Sequence, residues 1–167
     1  ADLQAFQRAP RERRTPGRRD ALRIDKLQAR MQEVAEAVDA ATVTGAGFAD
    51  LGLGDNIVRA LAGLGAASPF PIQAATVAPI LEGRDVLARG RTGSGKTIAF
   101  GAPLVESILR AQAGQRREFG RAPKALILAP TRELALQIDR TVQVIARSVG
   151  LVTTQVYGGV PQARQVG

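Results

Sequence analysis

The chain is expected to fold as an α/β protein, a parallel sheet flanked by helices, and three features of its sequence carry that expectation. Short apolar runs at Asp85–Arg89 (DVLAR), Lys124–Ala129 (KALILA) and Leu151–Tyr157 (LVTTQVY) have strand character. Longer stretches with helical spacing alternate with them, as a series of βα units requires. Between the first run and the helix after it stands GRTGSGKT, Gly90 to Thr97, a glycine-rich loop placed where a strand feeds a helix. In such sheets ligands gather at the carboxyl ends of the strands.

Composition narrows the chemistry. The chain has 167 residues, enough for one globular domain and too few for two large ones. It contains no Cys and no His, which excludes disulfides, thiol nucleophiles, imidazole acid–base catalysis and the commonest transition-metal ligands. Lys and Arg number 23 against 15 Asp and Glu, a formal charge of +8 that favours a polyanionic partner such as nucleic acid. No apolar run has the length of a membrane span, so a cytoplasmic location with no membrane partner is the expectation.

Taken in order, residues 1–19 read as a flexible basic tail, because RAPRERRTPGRR (Arg8–Arg19) combines six arginines with two prolines and a glycine that forbid a continuous helix. Residues 20–47 read as a helix and linker. Asp20 can cap the helix, and Ile24, Leu27, Met31, Val34 and Val38 form one apolar stripe suited to packing on a neighbouring surface. Small residues from Ala40 to Gly47 suggest a hinge. Residues 48–167 hold the α/β pattern. Helices are expected from Gln73 to Leu81, from Lys96 to about Ala113 and from about Arg132 to Ser148. KALILA, apolar throughout, suits a strand covered on both faces. Gly114–Pro123, with Arg116, Arg117 and Arg121, suits a surface loop.

The glycine loop carries the most specific chemistry. Its glycines let backbone wrap closely around phosphate, and N–H groups from Gly93 to Thr97 converge with the positive end of the helix dipole. Arg91, Thr92, Gly93, Ser94, Gly95, Lys96 and Thr97 are therefore the expected nucleotide contacts. Lys96 reaches the β and γ phosphates and the Thr97 hydroxyl takes a Mg²⁺ position, which makes these two the expected catalytic pair and Thr97 the expected metal ligand.

The flanking segments carry a family resemblance. Gly65–Gln73 (GAASPFPIQ), with Phe48 upstream, resembles the Q motif that DEAD-box ATP-dependent RNA helicases place before their P-loop. Read alone, the same string would equally mark an X-Pro turn opening a helix. Pro130–Ala135 (PTRELA) looks like motif Ia, and Tyr157–Gln165 (YGGVPQARQ) looks like the GG segment of that family. DVLARGRTGSGKTIAFGAPL is similar to the P-loop region of bacterial members throughout. The resemblance implies an incomplete P-loop NTPase domain of RecA-like fold, the first of two such domains in an enzyme that couples ATP binding and hydrolysis to local unwinding of RNA duplexes. It also implies contacts with adenine from Phe48, Phe70 and Gln73, the carboxamide of Gln73 pairing with the N6 and N7 edge of the base. Pro130, Thr131, Arg132, Gly158 and Gly159 are implied contacts with the RNA backbone.

Later motifs of the family do not occur in these residues: there is no DEAD tetrapeptide, no SAT and no second RecA-like domain. The chain is thus expected to be a piece of a longer enzyme, with little hydrolytic activity alone. Two other readings stay open at this stage. One is a non-catalytic RNA-binding or regulatory module with a relic P-loop. The other is a different P-loop enzyme, such as a small-molecule kinase.

Overall fold

A computed structural model describes residues 39–43, 45–114 and 122–158. The basic tail, the apolar stripe from Ile24 to Val38, Arg116, Arg117, Arg121 and Gly159 lie outside the described residues. A short 3-10 turn, Ala40–Thr42, is capped by Asp39, whose carboxylate accepts from the Ala41 N–H. Part of the expected hinge is therefore an ordered turn, and it packs against the second helix described below.

Four α-helices follow: α1 (Asp55–Gly63), α2 (Pro71–Leu81), α3 (Lys96–Ala111) and α4 (Arg132–Ser148). Three match the helices expected from spacing. Sequence reading did not propose α1, although Ile57 and Leu61, one turn apart, are both wholly buried and Asp55 sits favourably in its first turn. Pro71 opens α2 at a position where its missing N–H costs nothing.

The core lies between these helices. Phe48 and Leu53 ahead of α1 join Ile57, Leu61, Val77 of α2, Ala102 and Val105 of α3, and Ile138, Val142, Ile145 and Ala146 of α4. α3 is central, packing on α2 along one side and α4 along the other. A Cβ on Gly101 of α3 would lie 3.0 Å from Val142 Cγ2, so this glycine lets the two helices approach closely. Pro103 has no N–H for the Ala99 carbonyl one turn back, and the buried Thr76 hydroxyl of α2 lies 3.3 Å from that oxygen while donating to Ile72 O at 2.8 Å. Buried Glu106 accepts from Gly54 N–H (3.0 Å) and from Arg110 Nε (2.7 Å), and Arg110 also donates to the Gly52 carbonyl. Those bonds fasten the chain entering α1 to the far half of α3.

The expected strands need correction. Among the described residues none is assigned as a strand, and no backbone hydrogen bond joins the segments 85–89, 125–129 and 151–156 to one another. Two of them still alternate as strands do. In 151–158, half-buried and exposed residues take turns along the chain, and in 124–130 Ala125 and Ala129 are half-buried between exposed neighbours. The covered side rests on helices, while Leu126, Leu128, Val152 and Val156 face solvent at 70–90% exposure. KALILA is therefore covered on one face, where two were expected. A parallel ladder is stabilised by neighbours on both edges and cover on both faces. Among the described residues helices cover one face only, and the segments run without a ladder partner.

Candidate functional site

Segment 85–89 leads through Gly90–Gly95 directly into α3. Gly93 and Gly95 both have φ of +80°, the left-handed region that a side chain would penalise, and this curls the loop over the first turn of the helix. Gly95 caps α3 with no side-chain hydrogen bond, and the N–H groups of Gly93, Gly95, Lys96, Thr97 and Ile98 have no acceptor among the described residues. Ser94 Oγ in the same loop is buried without a partner. Converging unpaired donors at the positive end of a 16-residue helix form a cradle for phosphate oxygens. The residues present fit a nucleotide polyphosphate.

Lys96 does not hang free over that cradle. Its ammonium donates to the carbonyls of Gly90 (2.8 Å) and Arg91 (2.6 Å), folding back onto the loop it serves. The Thr97 hydroxyl is half-buried with no hydrogen bond among the described residues, so its oxygen is available to a cation beside the phosphates. No group of three or more acidic residues suited to a metal ion exists among the described residues. Arg91 and Thr92 lie exposed at the rim of the loop.

The Q-motif-like residues come to the same place by a route the sequence does not display. Gln73 is 1% exposed, and both ends of its carboxamide are engaged: Oε1 accepts from Phe70 N–H at 2.8 Å and Nε2 donates to Gly95 O at 3.1 Å. A Cβ on Gly95 would fall 2.3 Å from Gln73 Nε2 and 3.0 Å from Phe70 Cδ2. The start of α2 is thus clamped to the start of α3. In this arrangement Gln73 supports the glycine loop, and each end of its buried amide already holds one partner. Phe70 is half exposed beside the loop and is the aromatic ring open to a ligand there. Phe48, expected to stack on adenine, is instead a core residue at 2% exposure, drawn in because a phenyl ring gains more from packing against Ile57 and Leu61 of the core than from solvent.

An apolar cleft of about 420 Å³ adjoins the loop, lined by Val86 and Leu87 on one side, Lys96 and Thr97 at the loop, and Leu134 and Ile138 of α4. It places the first turns of α3 and α4 on one side of the molecule. At the start of α4, Thr131 caps the helix by accepting the Leu134 N–H at 3.2 Å, with Pro130 exposed before it. Arg132 lies with its guanidinium carbon 4.4 Å from the centre of the Tyr157 ring. Gly158 follows, exposed and with open space where a Cβ would be. Arg132 of PTRELA and Tyr157, the residue that opens the GG segment, therefore meet although they are distant in sequence. Tyr157 was not singled out by sequence reading, because its contact with Arg132 depends on how 151–157 lies against α4.

A glycine loop wrapping the amino end of a helix, fed by an extended apolar segment and clamped by a neighbouring helix, defines the P-loop class of nucleotide-binding α/β domains. Within that class the chain belongs to the DEAD/DEAH box helicase family, whose model matches residues 70–167. It is 46% identical over 122 residues to the mitochondrial DEAD-box ATP-dependent RNA helicase 9 of Arabidopsis thaliana, covering 73% of this chain and 19% of that protein. It is also 46% identical over 113 residues to the chloroplastic DEAD-box ATP-dependent RNA helicase 3B of Zea mays, covering 68% of this chain and 15% of the other. The chain therefore spans less than a fifth of the length of these relatives. In fold it resembles the RNA helicase Prp28 of Chaetomium thermophilum in its ADP-bound crystal structure, with a TM-score of 0.62 and 32% identity over 73% of this chain and 29% of that one. A DEAD box protein of Methanococcus jannaschii gives a TM-score of 0.59 and 31% identity over 72% of this chain and 31% of that one. The fold is thus part of a RecA-like helicase domain, its sheet positions occupied here by unpaired extended segments.

Proposed function

We propose that this chain is the ATP-binding portion of an RNA helicase, coupling ATP binding and hydrolysis to local separation of RNA duplexes. The observation that carries the reading is the set of unpaired N–H groups at the start of α3, held under two left-handed glycines. Phosphate oxygens satisfy those donors. Lys96, now held on the Gly90 and Arg91 carbonyls, would be the residue to neutralise charge on the β and γ phosphates, and the Thr97 hydroxyl would be the group to hold a Mg²⁺ ion. When bound, that Mg²⁺ neutralises further phosphate charge. Gln73 is built into the loop's support, so a base that engages it must shift the loop as it enters. RNA backbone is taken at the start of α4 by the helix N–H groups, Arg132 and the open glycine edge at Gly158. The names of the relatives support ATP and RNA as ligands. A second RecA-like domain, a bacterial type of helicase and a cytoplasmic location belong to the same proposal. The bacterial type rests on the stretch DVLARGRTGSGKTIAFGAPL alone, since the relatives named above are plant proteins.

Titration with a fluorescent ATP analogue, in competition with ATP and GTP, tests the reading. ATP is expected to compete well and GTP poorly, and Lys96→Ala is expected to weaken binding ten- to a hundredfold, about what a lost charge-assisted contact is worth. Equal competition by both purines, or unchanged affinity in the variant, would overturn it.

A further inference from the structure

Three contacts lay the segment 151–157 back along α4. Leu151 N–H donates to Ala146 O near the end of the helix, Gln155 donates to Asp139 midway, and the Tyr157 ring meets Arg132 at the start. The lengths agree: Ala146 back to Arg132 spans about 21 Å of helix, and Leu151 to Tyr157 covers about 20 Å of extended chain. Gln155 and Tyr157, two residues apart, share one face of the segment and both address α4. Tyr157 therefore arrives under Arg132 through a register fixed at two earlier points.

At that position the Arg132 guanidinium has no hydrogen-bond or ion-pair partner among the described residues, so the ring is the contact that orients it. A guanidinium stacked over a ring is attracted through its face, while its five N–H donors lie in its plane and remain available. Left without the ring, the long side chain would sample many rotamers and would have to be ordered by each incoming phosphate.

We infer that Tyr157 is a positioning residue for nucleic-acid binding, holding the Arg132 guanidinium with its donor edge turned toward a phosphate beside the start of α4. The inference rests on the reading of that edge as the RNA site. It adds a residue that makes the site rigid before RNA arrives.

The test measures binding of a fluorescein-labelled oligouridine of about 10 nucleotides, within the span that single-strand sites cover, by anisotropy with a saturating non-hydrolysable ATP analogue. Tyr157→Leu is expected to weaken RNA binding about three- to tenfold, Tyr157→Phe to keep it within about twofold, and Tyr157→Trp to match or exceed it, in the order of ring strength toward cations. ATP-analogue affinity is expected to stay unchanged throughout. In an Arg132→Ala background, Tyr157→Leu is expected to add nothing. A packing role would give a different order, with Trp worst because it is too large. That order, or a Tyr157→Leu effect that persists without Arg132, would overturn the inference while leaving the RNA site intact. If Arg132→Ala itself leaves RNA affinity and its salt dependence unchanged, the RNA reading of this edge fails and the inference falls with it.

Discussion

Gln73 shows how much a single side chain can hold. Its carboxamide is buried, joins the start of α2 to the Gly95 carbonyl, and occupies the space that a Cβ on Gly95 would need. Gln73→Ala leaves the Phe70 N–H and the Gly95 carbonyl without partners and opens a cavity beneath the loop, a cost of about 2–3 kcal/mol. Urea unfolding is expected to show that loss, together with weaker nucleotide binding. Gln73→Glu keeps the acceptor for Phe70 but sets a carboxylate against the Gly95 carbonyl, so it is expected to be at least as damaging. The sequence displayed Gln73 as a site residue but could not display this clamp, because its partner lies 22 residues away. Phe48 is the converse case: a motif-like aromatic whose burial depends on where α1 falls, and α1 was not read from the sequence. The place of Lys96 and Thr97 at the start of α3 was legible because the glycine loop fixes its own geometry within eight consecutive residues.

At the scale of elements, the helices were legible where local signals agreed. The structure shows what ties those helices to their own residues: Thr131 caps α4, Pro71 opens α2, and Ile138, Val142 and Ile145 form a buried stripe, all acting within a few residues. The ends are as local as the beginnings. α4 ends at Ser148 and is closed by Gly150, whose φ of +73° allows Leu151 N–H to reach back to Ala146 O and Gly150 N–H to reach Arg147 O, the pattern of a Schellman turn. That turn also aims the chain back along α4, which is what delivers Tyr157 to Arg132. Gly150→Ala forces a Cβ into the left-handed region and is expected to lower stability by about 1–2 kcal/mol in denaturant unfolding. Gly150→Asn, which tolerates that region better, is expected to cost less. Strands were legible as segments and not as a sheet. Their alternation is local, whereas a ladder depends on partners that no run of neighbouring residues specifies.

For the whole molecule, the bare side of the extended segments dominates. Leu87, Leu126, Leu128, Val152 and Val156 are exposed beside backbone groups that make no ladder. Apolar side chains next to unpaired ladder groups invite association with other chains. The isolated 167-residue chain is expected to bind a hydrophobic dye such as ANS and to sediment with concentration-dependent self-association. Replacing Leu128 and Val152 with Thr is expected to reduce both while leaving the helical circular dichroism unchanged. Monomeric sedimentation with no dye binding would show that this face is covered. The glycine loop behaves differently, since its lysine ammonium is already satisfied internally by two carbonyl oxygens. An anion with few oxygens offers that ammonium little more than it already has. A chain of phosphates would span the whole row of waiting amides at once, so under the proposed function the resting loop is expected to favour nucleoside triphosphate over stray inorganic phosphate before any base is recognised.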